Sequence, residues 1–332
     1  MYKIIIAGCG GISNSWFGPL KKRDDCEIAA LVDPMEGRAD AKREEHGLEC
    51  NTYASLAEAC KKESADIVVD ITPPEYHCET VTTALNAGFN VFGEKPMADN
   101  VASAEMMIKC ADANKKEYFV MQNYRYNPGI IALRRFLRSG KLGAIGSVSA
   151  NFQLNPHFFG FRDEMDSPLI LDMSIHTFDA ARYILGADAR TVYCHEFNPS
   201  WSWYRGDAAA VCIFEMDDGA VFDYRGCWCA TGLITTWNCE WRVACENGVV
   251  YWDGGDTLFY DARKEAWDFS HDKVAIPLIG MEQVSHEACI ADMFDALKNG
   301  ARPQTDCRDN IRSIGMVYKS IESSRSKGVV KF

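Results

Sequence analysis

The sequence predicts a two-domain α/β protein, in which a doubly wound parallel sheet is followed by an α+β domain with a large, mostly antiparallel open sheet. Short apolar segments alternate with longer amphipathic ones in the first third of the chain, which is typical of βαβ units. Beyond about residue 145, strand-like segments follow one another directly. A length of 332 residues also fits two domains better than one. We place the boundary after residue 123, giving domains 1–123 and 124–332.

The first domain contains apolar segments of strand length, separated by intervals long enough for helices. Ser55 and Glu58 have the spacing of a capping box at the start of one such helix. Nearly continuous apolar strands that alternate with helices indicate a parallel sheet covered on both faces. The predicted strands are residues 3–7, 27–32, 65–71, 90–92 and 118–121.

The second domain contains strands that are joined by turns. Asp217-Asp218-Gly219 separates the segments 208–216 and 220–229, which predicts an antiparallel pair. A long helix is expected over 307–324. Because no helix is predicted to cover the outer face of this sheet, we expect a homo-oligomer, a dimer or tetramer, that buries it.

Composition excludes several classes of partner. The chain has 35 basic and 47 acidic residues, a net charge of −12, which disfavours nucleic acid and anionic membranes. No stretch approaches the ~18 apolar residues of a membrane span. The fourteen cysteines indicate reduced thiols in a cytoplasmic protein, mainly packed in the core. The closest pair, Cys227 and Cys229, lacks the spacing of a zinc site, so we expect no metal.

A glycine-rich segment at residues 8–13 directly follows the first predicted strand. Gly8 permits a tight turn, and Gly10 lets the backbone approach a pyrophosphate at a helix N-terminus. Ser13 replaces the usual third Gly or Ala. Asp33 ends the second strand 20 residues after Ser13, where a carboxylate holds a ribose hydroxyl. These features predict a dinucleotide site.

Asp33 also bears on the choice of cofactor. Its carboxylate repels a 2′-phosphate, so NAD is favoured over NADP, although Arg38 lies near enough in sequence to offer a cation. A plain βα turn in which Asp33 caps the next helix remains the alternative interpretation.

Five motifs spread along the chain resemble those of the glucose-fructose oxidoreductase, inositol dehydrogenase and MocA (Gfo/Idh/MocA) family. They are Gly8-Cys9-Gly10-Gly11-Ile12; Thr72-Pro73-Pro74 with His77; Gly93-Glu94-Lys95-Pro96; Tyr124-Arg125-Tyr126-Asn127-Pro128; and Asp172-Met173-Ser174-Ile175-His176 with Asp179. The resemblance implies a Rossmann domain and an NAD(P)-dependent dehydrogenase or reductase acting on CH–OH groups of a sugar, cyclitol or related compound. It places Lys95 and His176 in the catalytic positions and implies a cis peptide bond before Pro96.

The residues themselves support part of this assignment. Lys95 follows a predicted strand and so lies at the carboxyl edge of the parallel sheet, where an ammonium stabilises a developing alkoxide. A solvated lysine at a strand end is the alternative. By pattern and resemblance, the expected cofactor-binding residues are Gly8, Gly10, Gly11, Ile12, Asp33, Thr72, Pro73, His77, Glu94, Lys95 and Arg125.

A second helix carries the remaining candidate catalytic residues. Ser167 is expected to cap its start and Gly186 to end it. In a regular α-helix Asp172, His176 and Asp179 share one face. With an ordinary pKa near ~6.5, His176 is a natural general base, which Asp172 orients unless it binds a substrate hydroxyl instead. A core histidine paired with either carboxylate is the alternative.

The predicted reaction follows from these residues. His176 removes a hydroxyl proton, Lys95 polarises the oxygen, and a hydride passes to the nicotinamide; the reverse direction is equally compatible. Two rival functions are a redox-assisted glycosidase or lyase with tightly bound NAD, and a non-catalytic NAD-binding sensor.

The substrate is expected to be a neutral polyhydroxy compound, because no cluster of cations accompanies the motifs. All tryptophans except Trp16 lie in the second half, either as platforms for sugars or as core and interface residues. The expected substrate contacts are Asn155, Asp179, Trp203 and Arg205.

Overall fold

The computed structural model describes all residues from Met1 to Phe332. The first part of the chain alternates strands and helices. The strands are β1 (Tyr2–Ala7), β2 (Cys26–Val32), β3 (Asn51–Tyr53), β4 (Ile67–Asp70), β5 (Asn90–Gly93) and β6 (Tyr118–Val120). The helices are α1 (Asn14–Lys21), α2 (Arg38–His46), α3 (Leu56–Lys62), α4 (Pro74–Asn86) and α5 (Val101–Asn114).

These six strands form one parallel sheet in the order β3-β2-β1-β4-β5-β6. The chain order changes direction between β1 and β4, and this is where open α/β sheets bind ligands. β4 and the last four residues of β1 are completely buried, as expected for a sheet with helices on both faces. Strand β3 was not predicted, because it is three residues long, polar and at the sheet edge.

The rest of the chain is mainly strands. It contains α6 (Pro128–Arg138), β7 (Ile145–Gln153), α7 (Ile175–Leu185), β8 (Ala189–Phe197), β9 (Ala209–Met216), β10 (Val221–Cys227), β11 (Glu240–Cys245), β12 (Gly248–Trp252), β13 (Leu258–Ala262), β14 (Val274–Ala275), α8 (Ser285–Asn299), α9 (Cys307–Ser326) and β15 (Val330–Lys331). Nine strands form a sheet in the order β14-β13-β12-β11-β7-β10-β9-β8-β15. Only β7 and β10 pair in parallel, so the predicted fold class is confirmed.

Helix α7 packs on this nine-stranded sheet through aromatic side chains. The ring of Phe178 meets the rings of Phe214, Phe222 and Tyr224 edge-on, with centroids 5.0, 6.2 and 5.2 Å away. All four side chains are buried, and burial of each such ring contributes about 1.5–3 kcal/mol. This packing fixes the helix that carries His176.

The tryptophans divide between the two interpretations that the sequence left open. Trp228, Trp241 and Trp252 are fully buried in the second half of the chain and belong to its core. Trp201 and Trp237 are exposed, and Trp267 is almost completely so. Neither interpretation alone describes the set.

The chain divides into two compact units. The first contains Met1–Asn123 together with Gln283–Ile314, and the second contains Tyr124–Glu282 with Gly315–Phe332. The first break coincides with the predicted boundary, but the return of 283–314 was not predicted. This segment joins the first unit through the backbone, since the Val120 N–H donates to the Thr305 carbonyl at 2.9 Å. Its sequence carries no motif that would assign it there.

None of the helices is both long enough and apolar enough to cross a membrane. All fourteen cysteines are free thiols, and half of them are buried. The other half are partly exposed, so core packing describes fewer of them than predicted.

Candidate functional site

The loop after β1 is tightly packed on one side and open on the other. Gly8 has φ +100°, and a Cβ built on it would lie 2.5 Å from the carbonyl oxygen of Ile71, so only glycine fits. A Cβ built on Gly10 or Gly11 meets no atom within 4 Å. The backbone of these two glycines therefore stands open to a ligand, as pyrophosphate binding requires.

Ser13 braces this loop from within. Its hydroxyl is buried and donates to the carbonyl oxygen of Gly10 at 2.6 Å. Ile12, next to it, is exposed. The departure from the usual third glycine therefore leaves the open side of the loop unchanged.

Asp33 is buried at the carboxyl end of β2 and is held in place by the backbone. Its Oδ2 accepts the N–H of Cys9 at 2.9 Å, and its Oδ1 accepts the N–H of Met35 at 2.9 Å. Arg38 lies with a guanidinium nitrogen 3.8 Å from Oδ2. The carboxylate is thus fixed beside the glycine loop, in the position that a ribose hydroxyl requires.

Cys9 lies inside the loop and is buried. Burial, followed by the charge of Asp33, raises the pKa of its thiol to about 12. At neutral pH the group is therefore a protonated thiol and a poor nucleophile. The structure agrees with a packing role.

The ends of β4 and β5 are joined by a buried histidine. His77 has Nδ1 2.9 Å from the carbonyl oxygen of Pro96 and Nε2 2.7 Å from that of Thr72. Asp70 accepts both the N–H and the hydroxyl of Thr72, at 3.0 and 2.6 Å. Burial raises the pKa of Asp70, while His77 and Thr72 act in the opposite direction. His77 therefore connects the loop after β4, at Thr72, with the loop after β5, at Pro96.

Glu94 and Lys95 follow β5. Glu94 is buried, and its Oε1 accepts the indole N–H of Trp16 in α1 at 2.7 Å. Its Oε2 accepts the backbone N–H of Lys95 at 3.1 Å. The peptide bond between Lys95 and Pro96 is cis, as the resemblance implied. Lys95 therefore follows a residue, Glu94, whose two carboxylate oxygens both accept hydrogen bonds.

A second histidine in the same unit lies close to this pair. Burial lowers the pKa of His286, the charge of Glu94 raises it, and that of Lys95 lowers it again. Its neighbour Ser285 accepts a hydrogen bond from the Asn123 side chain at 2.8 Å. Neither Trp16 nor His286 was predicted, because both are far in sequence from the motifs they support.

The candidate cofactor-binding groups of the first unit meet at one edge of its sheet. An open glycine backbone lies at the end of β1, and Asp33 lies at the end of β2. Thr72 and Lys95 follow β4 and β5, so all four positions lie at the carboxyl ends of neighbouring parallel strands. The residues present fit a dinucleotide.

In the second unit, the helix with the candidate base begins differently from the prediction. Leu169–Ser174 forms a π-helical segment, and the regular helix α7 starts only at Ile175. The predicted 3.6-residue spacing therefore does not apply before His176. π-helical turns inside helices are frequent at functional sites. The extra residue in the turn changes the direction in which Asp172 points.

His176 is buried and lies against an aromatic ring. The ring of Tyr124 stacks on the imidazole at 4.2 Å with an interplanar angle of 20°. The Tyr124 hydroxyl donates to the carbonyl oxygen of Trp237 at 3.1 Å, and burial raises its pKa. The orientation of the imidazole is therefore set in part by stacking.

Asp172 has a charged partner outside its own helix. Its Oδ2 accepts the Nε–H of Arg162 at 2.6 Å, and both side chains are only partly exposed. Arg162 belongs to a short 3₁₀ turn, Gly160–Glu164. The Asp172 carboxylate is thus bound by a turn that the sequence analysis did not predict to be near it.

Arg125 and Asp179 form a buried bidentate ion pair. Nε and Nη2 of the guanidinium donate to the two carboxylate oxygens, each at 2.7 Å. Arg182 adds a second cation 3.7 Å from the same carboxylate. Arg125 was predicted as a cofactor contact and Asp179 as a substrate contact, and the structure pairs them with each other. This ion pair also holds the backbone next to Tyr124, the residue before Arg125.

The other predicted substrate residues lie on two loops. Asn155 is exposed just after β7. Trp203 stacks on the imidazole of His157 at 4.9 Å. The guanidinium of Arg205 lies 2.8 Å from a carboxylate oxygen of Asp166, at the surface.

Replacing Gly10 by alanine is expected to leave folding unchanged and to weaken NAD binding. The added methyl group meets no protein atom but occupies the space through which a pyrophosphate approaches the backbone. We expect at least a ~10-fold loss of affinity, equivalent to one hydrogen bond of ~1.4 kcal/mol. Titration calorimetry with NAD and a melting curve measure both effects. Gly8→Ala is the contrasting variant, since it should lower Tm; unchanged NAD affinity in Gly10→Ala would contradict this description of the loop.

Two models of known protein families match this chain. The model of an oxidoreductase family with an NAD-binding Rossmann fold matches residues 2–122, and that of the GFO/IDH/MocA C-terminal domain matches residues 130–251. The chain belongs to the Gfo/Idh/MocA family. The predicted enzyme class, an NAD(P)-dependent dehydrogenase or reductase, is thereby confirmed.

Similar proteins cover nearly the whole chain. The D-apiose dehydrogenase of Paraburkholderia graminis is 25% identical over 99% of this chain and 89% of its own length. The uncharacterized protein y4oX of Sinorhizobium fredii is 26% identical over 99% and 95%. An oxidoreductase from Agrobacterium radiobacter, solved with NAD⁺, L-tartaric acid and magnesium, is 21% identical over 99% and 98%, with a TM-score of 0.89. This last likeness shows a shared fold.

Proposed function

We propose that this oxidoreductase transfers a hydride between NAD and a secondary hydroxyl or ketone of a sugar, glycoside or cyclitol. The name of the Paraburkholderia relative, D-apiose dehydrogenase, supports a sugar as substrate. The absence of any cluster of cations among the candidate residues favours a neutral polyhydroxy compound.

The observation that carries the proposal is the setting of Lys95. It follows a strand of the dinucleotide unit, directly after a carboxylate whose two oxygens are bound by Trp16 and by the Lys95 backbone. An anchored strand end of this kind positions an ammonium reproducibly. A positive charge at such a place stabilises an alkoxide that forms as the hydroxyl proton leaves.

Each side chain has a defined task in this proposal. His176 takes the hydroxyl proton through its imidazole, whose orientation is set by stacking on Tyr124. Lys95 donates a hydrogen bond to the substrate oxygen. Asp172, held by Arg162, accepts a substrate hydroxyl or orients His176. When bound, NAD supplies the acceptor for the hydride.

The cofactor preference can be tested at Asp33. We expect Asp33→Asn to fold with a lowered Tm, because its amide oxygen keeps one of the two backbone bonds, and to lose discrimination against NADP. Removing the charge should lower the ratio of kcat/KM for NAD over NADP about 10- to 100-fold, since a charged hydrogen bond is worth roughly 1.5–3 kcal/mol. Initial rates with both cofactors measure this ratio. Asp40→Asn in α2 is the matched control, and an unchanged ratio in Asp33→Asn would remove Asp33 from the ribose site.

The proposal is tested by a panel of sugars, glycosides and inositols with NAD, followed at 340 nm. We expect at least one carbinol to give steady NADH formation. Product formation without NADH would favour the redox-assisted glycosidase or lyase. Binding of NAD without turnover of any compound would favour the sensor.

Assembly and location complete the proposal. We propose a homodimer or homotetramer formed through the open sheet, because Tyr193, Ile213 and Val221 on β8, β9 and β10 are exposed apolar side chains. The fourteen free thiols suit a reducing compartment, and we propose the cytoplasm.

A further inference from the structure

Three exposed aromatic side chains are gathered in the second unit. Phe158, Phe161 and Trp237 are 51%, 65% and 42% exposed. The ring centroids of Phe158 and Trp237 are 6.2 Å apart, and Arg162 lies against the rings of Phe158 and Phe161. We call these three residues the aromatic rim. Clustered exposed rings are uncommon on a protein surface unless they bind something.

The aromatic rim is anchored from below. The ring of Phe158 meets that of Trp228, which is fully buried, at 6.3 Å with an interplanar angle of 67°. The carbonyl oxygen of Trp237 accepts the Tyr124 hydroxyl. These contacts hold the ring of Phe158 and the backbone of Trp237 in position, so a ligand would meet a surface that is largely formed.

Two independent chains of contacts connect the aromatic rim with the candidate catalytic residues. In the first, Tyr124 stacks on His176 at 4.2 Å and binds the backbone of Trp237 at 3.1 Å. In the second, Arg162 donates to Asp172 at 2.6 Å while its guanidinium carbon lies 5.4 Å from the ring centroid of Phe158. The rim is therefore linked, through one intermediate side chain in each case, to His176 and to Asp172.

The charges at the aromatic rim indicate what it can hold. Arg162 contacts two of its rings, and the carboxylate of Asp172 pairs with the same guanidinium. An anionic group would gain little there, because it would compete with the Asp172 carboxylate. A neutral group with a flat, apolar face would contact the rings without losing hydration of a charge.

We propose that the aromatic rim is a subsite for a neutral ring joined by a glycosidic bond to the sugar that reacts at His176. The ring is an aryl group or a second sugar, whose C–H face has the same flat apolar character. This proposal rests on the proposed function and narrows its substrate class to glycosides. Binding at such a remote part of a substrate helps to hold the reacting hydroxyl in place.

Calorimetric binding to the enzyme with NAD tests the subsite without turnover. The probes are matched methyl and phenyl β-glycosides of glucose, galactose and xylose, with cellobiose as the second-sugar probe. We expect phenyl glycosides, cellobiose or both to bind more tightly than the methyl glycoside of the same sugar. Stacking of this kind gives about a 3- to 10-fold gain for each ring contacted. Preference for phenyl alone assigns an aryl group, and preference for cellobiose alone assigns a second sugar.

Variants locate the effect. Phe158→Ala and Trp237→Ala should each reduce the preference over the methyl glycoside and leave Tm nearly unchanged, since both side chains are exposed. Trp267→Ala is the matched control, because Trp267 is an exposed tryptophan elsewhere in the same unit. Equal affinity for all probes, no binding of any probe, or an undiminished preference in both variants would overturn the proposal.

The same measurements separate this proposal from the proposed function. Tighter binding of phenyl glycosides without NADH formation from any carbinol would support the subsite and contradict the proposed dehydrogenase function. NADH formation together with equal affinities for all glycoside probes would support the dehydrogenase function and contradict the subsite. If light scattering shows that Phe158→Ala or Trp237→Ala lowers the oligomer mass while glycoside affinity is unchanged, the rim is an interface between copies of this chain and the proposal is wrong.

Discussion

Lys95→Ala is expected to lower kcat by at least about 100-fold, because the loss of one preorganised donor to a developing oxyanion costs roughly 2.7–4 kcal/mol. NAD affinity should change less than kcat, since we propose that the glycine loop and Asp33 make the main contacts to the dinucleotide. KM should also change less than kcat, because the ammonium acts mainly on charge that develops in the transition state. Steady-state rates at 340 nm and NAD titration calorimetry measure these quantities.

The control for this variant is Lys109→Ala. Lys109 is an exposed lysine in α5 that pairs with Glu105 at 3.7 Å. Its removal takes away the same charge from the first unit without touching the carboxyl edge of the sheet. Full activity in Lys95→Ala would mean that the ammonium has no role in the reaction. An equal loss of kcat in Lys95→Ala and Lys109→Ala would mean that only the net charge of the unit matters.

His176→Asn is expected to lower kcat by about 10² to 10⁴, the usual contribution of a positioned general base. The amide retains hydrogen bonding and a flat shape against Tyr124, so the fold should persist. Without the imidazole the proton must pass to solvent, and the residual rate should therefore rise with pH. The measurement is the pH profile of kcat for both proteins.

His195→Asn provides the comparison for the base. His195 lies on β8 with an exposed side chain that stacks on Phe197 at 5.8 Å. This variant should retain the wild-type rate and pH profile. If His176→Asn does the same, another group removes the proton and the assignment of the base is wrong.

Local patterns in the sequence were sufficient to place three candidate residues at the carboxyl edge of the first unit's sheet. Gly8 and Asp33 come directly after a strand and Lys95 comes two residues after one, and the three positions lie at one edge because strand ends of a parallel sheet are aligned. Such residues depend on a few neighbours in the chain. The predicted fold class followed from the same alternation of strands and helices.

Contacts between distant segments were not predictable in this way. Arg162 pairs with Asp172 and Arg125 with Asp179 across 10 and 54 positions, and nothing in the spacing of charges selects these partners. The bond from Trp16 to Glu94 crosses 78 positions. Each depends on packing of elements that the sequence alone does not orient.

The start of the helix with His176 shows a third kind of difference. Ser167 and Gly186 gave its approximate extent, but the π-helical segment Leu169–Ser174 changed the register before His176. A wider turn is stabilised by tertiary contacts, here including the Ser174 hydroxyl on the Tyr224 hydroxyl at 3.0 Å. Periodicity assumes a regular helix and therefore misplaced Asp172 relative to its neighbours.

The central claim is that a carbinol hydrogen moves as hydride to NAD. The most direct measurement uses the compound that gives the fastest NADH formation in the panel, with deuterium in place of the hydrogen on each carbinol carbon in turn. We expect one labelled position to yield reduced cofactor heavier by one mass unit, with a slower hydride step. Reduced cofactor that never carries deuterium, or no compound that reduces NAD at all, would contradict it.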